Sequence, residues 1–169
     1  MNSLLERYGS LVSFDGKKLY VLWGPEELAK AKEEELRALK VGYRAKMLRS
    51  VSKDFADGKV DEKALRTVGK ESAKERLMEL YGIGPASADI LLFESLGYND
   101  ARDHIPPWEC KIFSMLFFKK PGATPRRVLS ELEGRFGEWK ALAFYYLIED
   151  LFWRHKQEKI GWLEKPIRL

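Results

Sequence analysis

Apolar residues recur at spacings of three and four along most of the chain, and that spacing predicts helices. In YRAKMLRSVSKDFADG, Leu48, Val51 and Phe55 fall on one face, and Gly58 is a natural C-terminal stop. One early stretch breaks the rule. LVSFDGKKLYVL sets Asp15-Gly16 between two β-prone runs, which predicts a short hairpin or extended loop. Pro25, followed by Glu26 and Glu27, starts a helical region with acid in its first turn. The helical pattern breaks near Val41-Gly42 and then restarts. A short helix is expected around Asp61 to Val68 and another over Glu71 to Leu80. YGIG interrupts, and PASADILLFESLG makes the next helix, with Pro85 in its first turn and Gly97 ending it. The loop YNDARDHI leads to a helix opened by Pro106-Pro107. Thr124-Pro125 is an N-cap and first-turn pair for RRVLSELEGRFG, and a last long helix runs from about Glu138 into RHKQEK. The pattern is all-α with a small N-terminal β excursion, without internal repeats.

Composition narrows the classes. The chain has 169 residues, 45% hydrophobic and 33% charged, which suits one soluble domain or two small lobes sharing a core. No run approaches the roughly 18 apolar residues of a membrane-spanning helix. MNSLLERYGS lacks the basic start and apolar core of a signal peptide. The single cysteine, Cys110, rules out an internal disulfide, an intrachain four-cysteine iron-sulfur cluster and an intrachain structural zinc site. His104 and His155 have no partners at metal-ligand spacing, so no transition metal is expected. A net charge of +4 and a pI of about 9.0 are compatible with nucleic acid without demanding it.

Two stretches carry candidate chemistry. In HIPPWECKIF, two prolines precede Glu109 in the first turn of an apolar helix, where a carboxylate either caps the helix or carries a reaction. In LMELYGIGPASADILLF, two amphipathic helices meet through Gly82-Ile83-Gly84. The glycines permit positive φ angles and close backbone approach, and the second helix offers free N–H groups to a phosphate. It is neither a dinucleotide fingerprint, since a helix precedes it and the third glycine is missing, nor a P-loop, since no GK[ST] follows. From GIG alone, a tight turn between packed helices is an equal explanation.

KVGYRAKML (Lys40 to Leu48), LYGIGPASADILLF (Leu80 to Phe93) and WKALAFYYLIEDLFW (Trp139 to Trp153) together resemble the helix-hairpin-helix DNA glycosylase superfamily. The nearest look is to its 3-methyladenine glycosylase II-like branch, and order and spacing match from Leu4 almost to the C-terminus. The resemblance implies an all-helical, two-lobed fold with damaged duplex DNA crossing the cleft. The expected division sets about 25–117, bearing the hairpin, against 1–24 with 118–169. Backbone N–H groups near Gly82, Gly84 and Ala86 would hold a DNA phosphate. Carbonyls near Met78, Leu80 and Ile83 would hold a monovalent cation (sodium or potassium) bridging to that phosphate; no other cofactor is implied.

The implied reaction flips a damaged base, an alkylated purine in this branch, and hydrolyses its N-glycosidic bond. A carboxylate beside the sugar stabilises the oxocarbenium-like transition state. In the family this is an Asp at the start of the helix after the hairpin helix. An ungapped alignment from Gly97 sets Trp108 opposite it; one extra loop residue sets Glu109 there, the favoured choice, with Asp103 in reserve and Asp100 behind it. Bifunctional members carry a lysine nucleophile where this chain has Ala86, so a monofunctional enzyme using water is expected, without lyase activity.

Trp108, Tyr145 and Tyr146 are candidates to line the base pocket, and Glu149-Asp150 to bridge between lobes. Arg44 and Lys46 either anchor packing or touch phosphate, and the cluster Lys119, Lys120, Arg126 and Arg127 either meets the DNA backbone or is a solvated face. Family members carry a further segment before the part matching SLLERYGSL, including a loop that wedges into the gap left by the flipped base. The hairpin Leu11 to Leu22 is the candidate to replace it. The protein is expected to be a monomer, to have no membrane partner, and to be cytoplasmic or nucleoid-associated. The competing class is a non-catalytic DNA-binding protein that has lost the acid and the wedge. A protein–protein scaffold leaves GIGPAS unexplained.

Overall fold

The computed structural model describes residues 2–164. Helix α1 (Asn2–Tyr8) leads into an antiparallel hairpin of β1 (Ser10–Phe14) and β2 (Lys17–Val21), with Val12 opposite Leu19. Asp15 and Gly16 have φ of 49° and 69°, the left-handed pair that a tight two-residue turn requires. Both strands are exposed along their length, apolar side chains included. Helices α2 (Pro25–Lys30), α3 (Glu33–Ala38), α4 (Arg44–Ala56) and α5 (Glu62–Thr67) follow. Then come α6 (Lys70–Met78), α7 (Pro85–Glu94), α8 (Pro107–Phe118), α9 (Pro125–Phe136) and α10 (Lys140–Glu158), the last preceded by a 3-10 turn over Gly137–Trp139. No described helix is long and apolar enough to cross a membrane.

Local chemistry sets the boundaries. Prolines open α2, α7, α8 and α9, where a missing N–H breaks no intrahelical bond. The Thr124 hydroxyl accepts the Arg127 N–H at 3.3 Å as a side-chain cap. One break was invisible in the helical pattern after Pro25: α2 stops at Ala31, whose ψ of 145° is extended. The Arg49 Nε donates to the Ala31 carbonyl at 3.0 Å, so a side chain from α4 satisfies the freed acceptor.

The described chain divides into two compact units, residues 2–67 with 78–82, and residues 68–77 with 83–164. The first gathers Leu4, Leu28, Ala31, Leu36 and Ala45 into one core, with Trp23 and Leu48 packed on it. The second builds its core from Ile112 and Phe113 of α8, Val128 and Leu132 of α9, and Phe144, Ile148 and Leu151 of α10. Phe113 and Phe144 stack with centroids 4.4 Å apart, and burying each such side chain contributes about 1.5–3 kcal/mol. These boundaries differ from the expected division at 24 and 117. The apolar face of α8 needs α9 and α10 to cover it, and Leu4 packs with Leu28, so neither expected cut follows a gap between cores.

Candidate active site

The residues between α7 and α8 have no regular structure, yet they are heavily bonded. The Tyr98 hydroxyl donates to the Val68 carbonyl at 2.8 Å, and Lys70 pairs with Asp100 at 2.6 Å. The Asn99 carbonyl accepts the Ala141 N–H at 2.8 Å, satisfying a free donor in the first turn of α10. Asp89, fully buried on α7, accepts the N–H groups of Asp103 and His104, each at 2.9 Å. Lys74 lies 2.6 Å from the other Asp89 oxygen. Ala101, Arg102 and Ile105 are buried, so the segment is anchored from both sides before Pro106 caps α8.

Glu109 sits in the first turn of α8, nearly buried. Its carboxylate is in direct hydrogen-bond contact with the guanidinium of Arg102, which is 1% exposed. The guanidinium also lies over the Phe144 ring, 3.7 Å from its centroid, and 5.7 Å from that of Tyr145. Burial pushes the Glu109 carboxyl above the usual range, and the charge of Arg102 opposes that shift. Burial likewise raises the Tyr145 phenol, with Arg102 acting against it. Cys110, next along α8, is raised by burial and donates to the Ala123 carbonyl at 3.3 Å, the marks of an inert thiol.

Tyr145 stacks on Phe93 with centroids 4.6 Å apart. Both line an open cavity of about 570 Å³, with Leu142, Tyr146, Glu149, Asp150 and Trp153. Contacts therefore run from the Glu109 carboxylate through Arg102 to an aromatic wall of this cavity. Tyr145 and Tyr146, two of the expected pocket residues, both line this cavity. Trp108 does not; it packs against the second unit's core. Asp150 pairs with Arg154 one turn along α10 at 3.6 Å.

Asp103 is held in an ion-pair cluster. Burial alone would raise its pKa, but Lys140 at 2.9 Å, with Lys74 and Lys70, holds it below the usual carboxylate range. The surrounding lysines answer in the opposite sense. Desolvation lowers Lys74 and Lys140, but Asp89 and Asp103 for the first, and Glu133 and Asp103 for the second, leave both raised. The Asp103 carboxylate, though exposed, is thus paired with two lysines, Lys140 and Lys74. Asp100 is paired with Lys70.

At the hairpin, only one glycine uses its freedom. Gly82 has a φ of +85°, and a Cβ there would lie 2.9 Å from Met47 Cγ. Gly84 is extended, with φ −95° and ψ 178°, and caps α7 ahead of Pro85. The first-turn N–H groups of α7, Ala86 among them, have no intrahelical acceptors. Met78 is the last residue of α6, and Leu80 and Ile83 lie in the connection to α7. In the first unit, the Arg44 guanidinium lies over the exposed Tyr43 ring at 5.1 Å, and Lys46 over the exposed Tyr81 ring at 4.5 Å. In the second, Arg127 lies over Phe118 at 4.3 Å.

No family model matches the chain. Among curated proteins it is 22% identical to the DNA-3-methyladenine glycosylase of Bacillus subtilis over 152 residues, 88% of this chain and 49% of that protein. It is 34% identical to the N-glycosylase/DNA lyase of Saccharomyces cerevisiae over 107 residues, 56% of this chain and 28% of that one. Among solved structures, the 3-methyladenine DNA glycosylase of Archaeoglobus fulgidus superposes with a TM-score of 0.72 at 26% identity, covering 89% of this chain and 50% of the other. MBOgg1 in complex with a low-affinity DNA ligand gives 0.75 at 27% identity, covering 86% and 51%. Its relatives and structural neighbours are helix-hairpin-helix DNA glycosylases, and it shares their fold. The glycosylase-like chain spans less than half the length of both curated relatives.

Two residues of the site escaped the sequence reading. Arg102 stood in a polar loop, where an arginine is ordinarily solvated, and Asp89 stood among apolar residues of a hairpin helix. The available signal for Asp89 was an isolated carboxylate in SADILLF, since an acid in a buried helix needs partners. Nothing local marked Arg102, because Phe144, which covers it, lies 42 positions further along.

Proposed function

We propose that this chain is a monofunctional DNA glycosylase that flips a damaged base, an alkylated purine, out of duplex DNA and hydrolyses its N-glycosidic bond. The observation that carries the reading is the Glu109 carboxylate, fixed in the first turn of α8 by Arg102 and connected through it to the aromatic cavity. Charge develops on the sugar as its bond to the base breaks. A preorganised carboxylate there lowers the barrier and orients water, without reorganising during the step. The helix N-terminus and Arg102 both favour its charged form against the pull of burial.

Tyr145 and Tyr146 supply faces for a flipped base, and the carboxylates of Glu149 and Asp150 favour one that carries positive charge. The free N–H groups at Ala86 and its neighbours suit a backbone phosphate, which positions DNA without reading sequence. Ala86 offers no amine to attack the sugar, so water is the nucleophile and the DNA strand stays intact. In this the reading departs from the yeast relative named as a lyase.

A second reading draws on one observation. Arg102 already engages Glu109, so the carboxylate acts only as part of a buried ion pair and the chain binds DNA without cutting a bond. Release of methylated bases from duplex DNA separates the two. Release by wild type, with no strand nicking before alkali, supports the enzyme; salt-sensitive duplex binding without release from a broad lesion panel supports the binder.

A further inference from the structure

Asp89 is a charged side chain with no exposure, ten residues or more from any proposed reacting group, and its bonds converge on one short segment. We propose that Asp89 is a positioning residue of the site: its carboxylate fixes the backbone at Asp103 and His104 so that Arg102 meets Glu109. The inference rests on the glycosylase reading for its catalytic consequence alone, because the positioning is a statement about the fold.

The two N–H groups it accepts are consecutive, each at 2.9 Å, and belong to the two residues after Arg102. Holding two successive amides fixes the peptide plane between them, and with it the direction in which the chain leaves Arg102. Such bonds to an ionised carboxylate are roughly twice as strong as neutral ones. Its second oxygen faces Lys74 at 2.6 Å, and Lys74 reaches Asp103 at 3.5 Å, so one lysine of α6 ties the charge of Asp89 to the segment it holds. On the far side Lys140 grips the Asp103 carboxylate at 2.9 Å. The segment is therefore clamped from α6, α7 and α10. Three residues after His104, α8 begins and aims Glu109 back at Arg102. An acid serving only to bury charge would not need two sequential amides adjacent to the residue that pairs with the candidate catalytic group.

The test uses Asp89→Asn, which keeps one neutral acceptor, and Asp89→Ala, which keeps none. Amide hydrogen exchange at Asp103 and His104 and the NMR titration of the Glu109 carboxyl are measured in each, with wild type as reference. Exchange should quicken about 10-fold in Asn and more in Ala, in keeping with the loss of charge-assisted bonds, and the Glu109 titration should move in the same order. If Ala does not fold, Asn alone decides. Unchanged amide protection together with an unchanged Glu109 titration in Asp89→Asn overturns the proposal. In single-turnover base release, Asp89→Asn should slow the step about 10-fold at constant DNA affinity and add nothing to Glu109→Gln, because coupled residues are non-additive. Losses that multiply across the pair would show a general structural role instead and overturn the proposal. If wild type releases no base, the glycosylase reading fails while the exchange and titration still decide the role of Asp89.

Discussion

Arg102 holds its guanidinium over Phe144, 3.7 Å from the ring centroid, while the same group bonds Glu109 Oε2. A planar, permanently charged fork can stack and pair at once; a lysine cannot. The pairing opposes the upward pull that burial exerts on this carboxyl in the first turn of α8. It also makes Arg102 the residue on which the state of Glu109 depends.

Arg102→Ala should therefore cost about 3–5 kcal/mol at neutral pH, the usual penalty for stranding one member of a buried pair. Thermal unfolding would read this as a fall in Tm on the order of 10 °C. The sign of its pH dependence is specific. An unpaired, buried Glu109 carries a pKa raised further above its unfolded value, so the variant regains part of its stability as pH falls and the carboxyl becomes neutral. A loss equal at pH 4 and pH 7 would place the cost in the Phe144 stacking instead.

Asp103 gives the opposite pH signature. Its folded pKa is lowered, so the stability it contributes is present above the unfolded carboxylate value of about 3.9 and disappears as pH falls through the lower folded value. Asp103→Asn should flatten the acid limb of stability against pH while leaving base release close to wild type, since its carboxylate is committed to Lys140 and Lys74. Loss of base release in Asp103→Asn with Glu109→Gln fully active would move the reaction to Asp103.

Much of this was legible from local chemistry. The Asp15-Gly16 hairpin, the proline-opened helices and the glycine stops at Gly58 and Gly97 follow from backbone preferences that each short stretch carries with it. Glu109 could be placed in a helix's first turn for the same reason. What it touches could not be read. Arg102 is covered by a residue from α10, Asp89 holds amides from beyond the end of its own helix, and of the half-buried aromatics Trp108 and Tyr145 only Tyr145 lines the cavity. The stop at Ala31 was hidden in the same way, because Arg49 of the next long helix satisfies it. Each of these depends on contacts between segments distant in sequence, to which helical spacing is blind.

Arg44 and Lys46 separate a DNA-facing role from a packing role. Both lie over exposed tyrosine rings, which leaves their charges available at the surface of the first unit. If they meet phosphates, each alanine substitution should weaken duplex binding and reduce the slope of log affinity against log salt by about 1, without changing sequence preference. An unchanged salt slope with a lower Tm would assign them to packing.

The most direct test of the central claim is single-turnover release of methylated purines from duplex DNA by wild type and Glu109→Gln at matched DNA occupancy. Wild type should release base and the variant should lose at least about 100-fold, the scale set by removing one transition-state electrostatic partner. The variant should still fold and bind DNA, though with a lowered Tm because the buried Arg102 loses its counter-charge, and no strand should be nicked before alkali. Equal release by Glu109→Gln and wild type would contradict that claim.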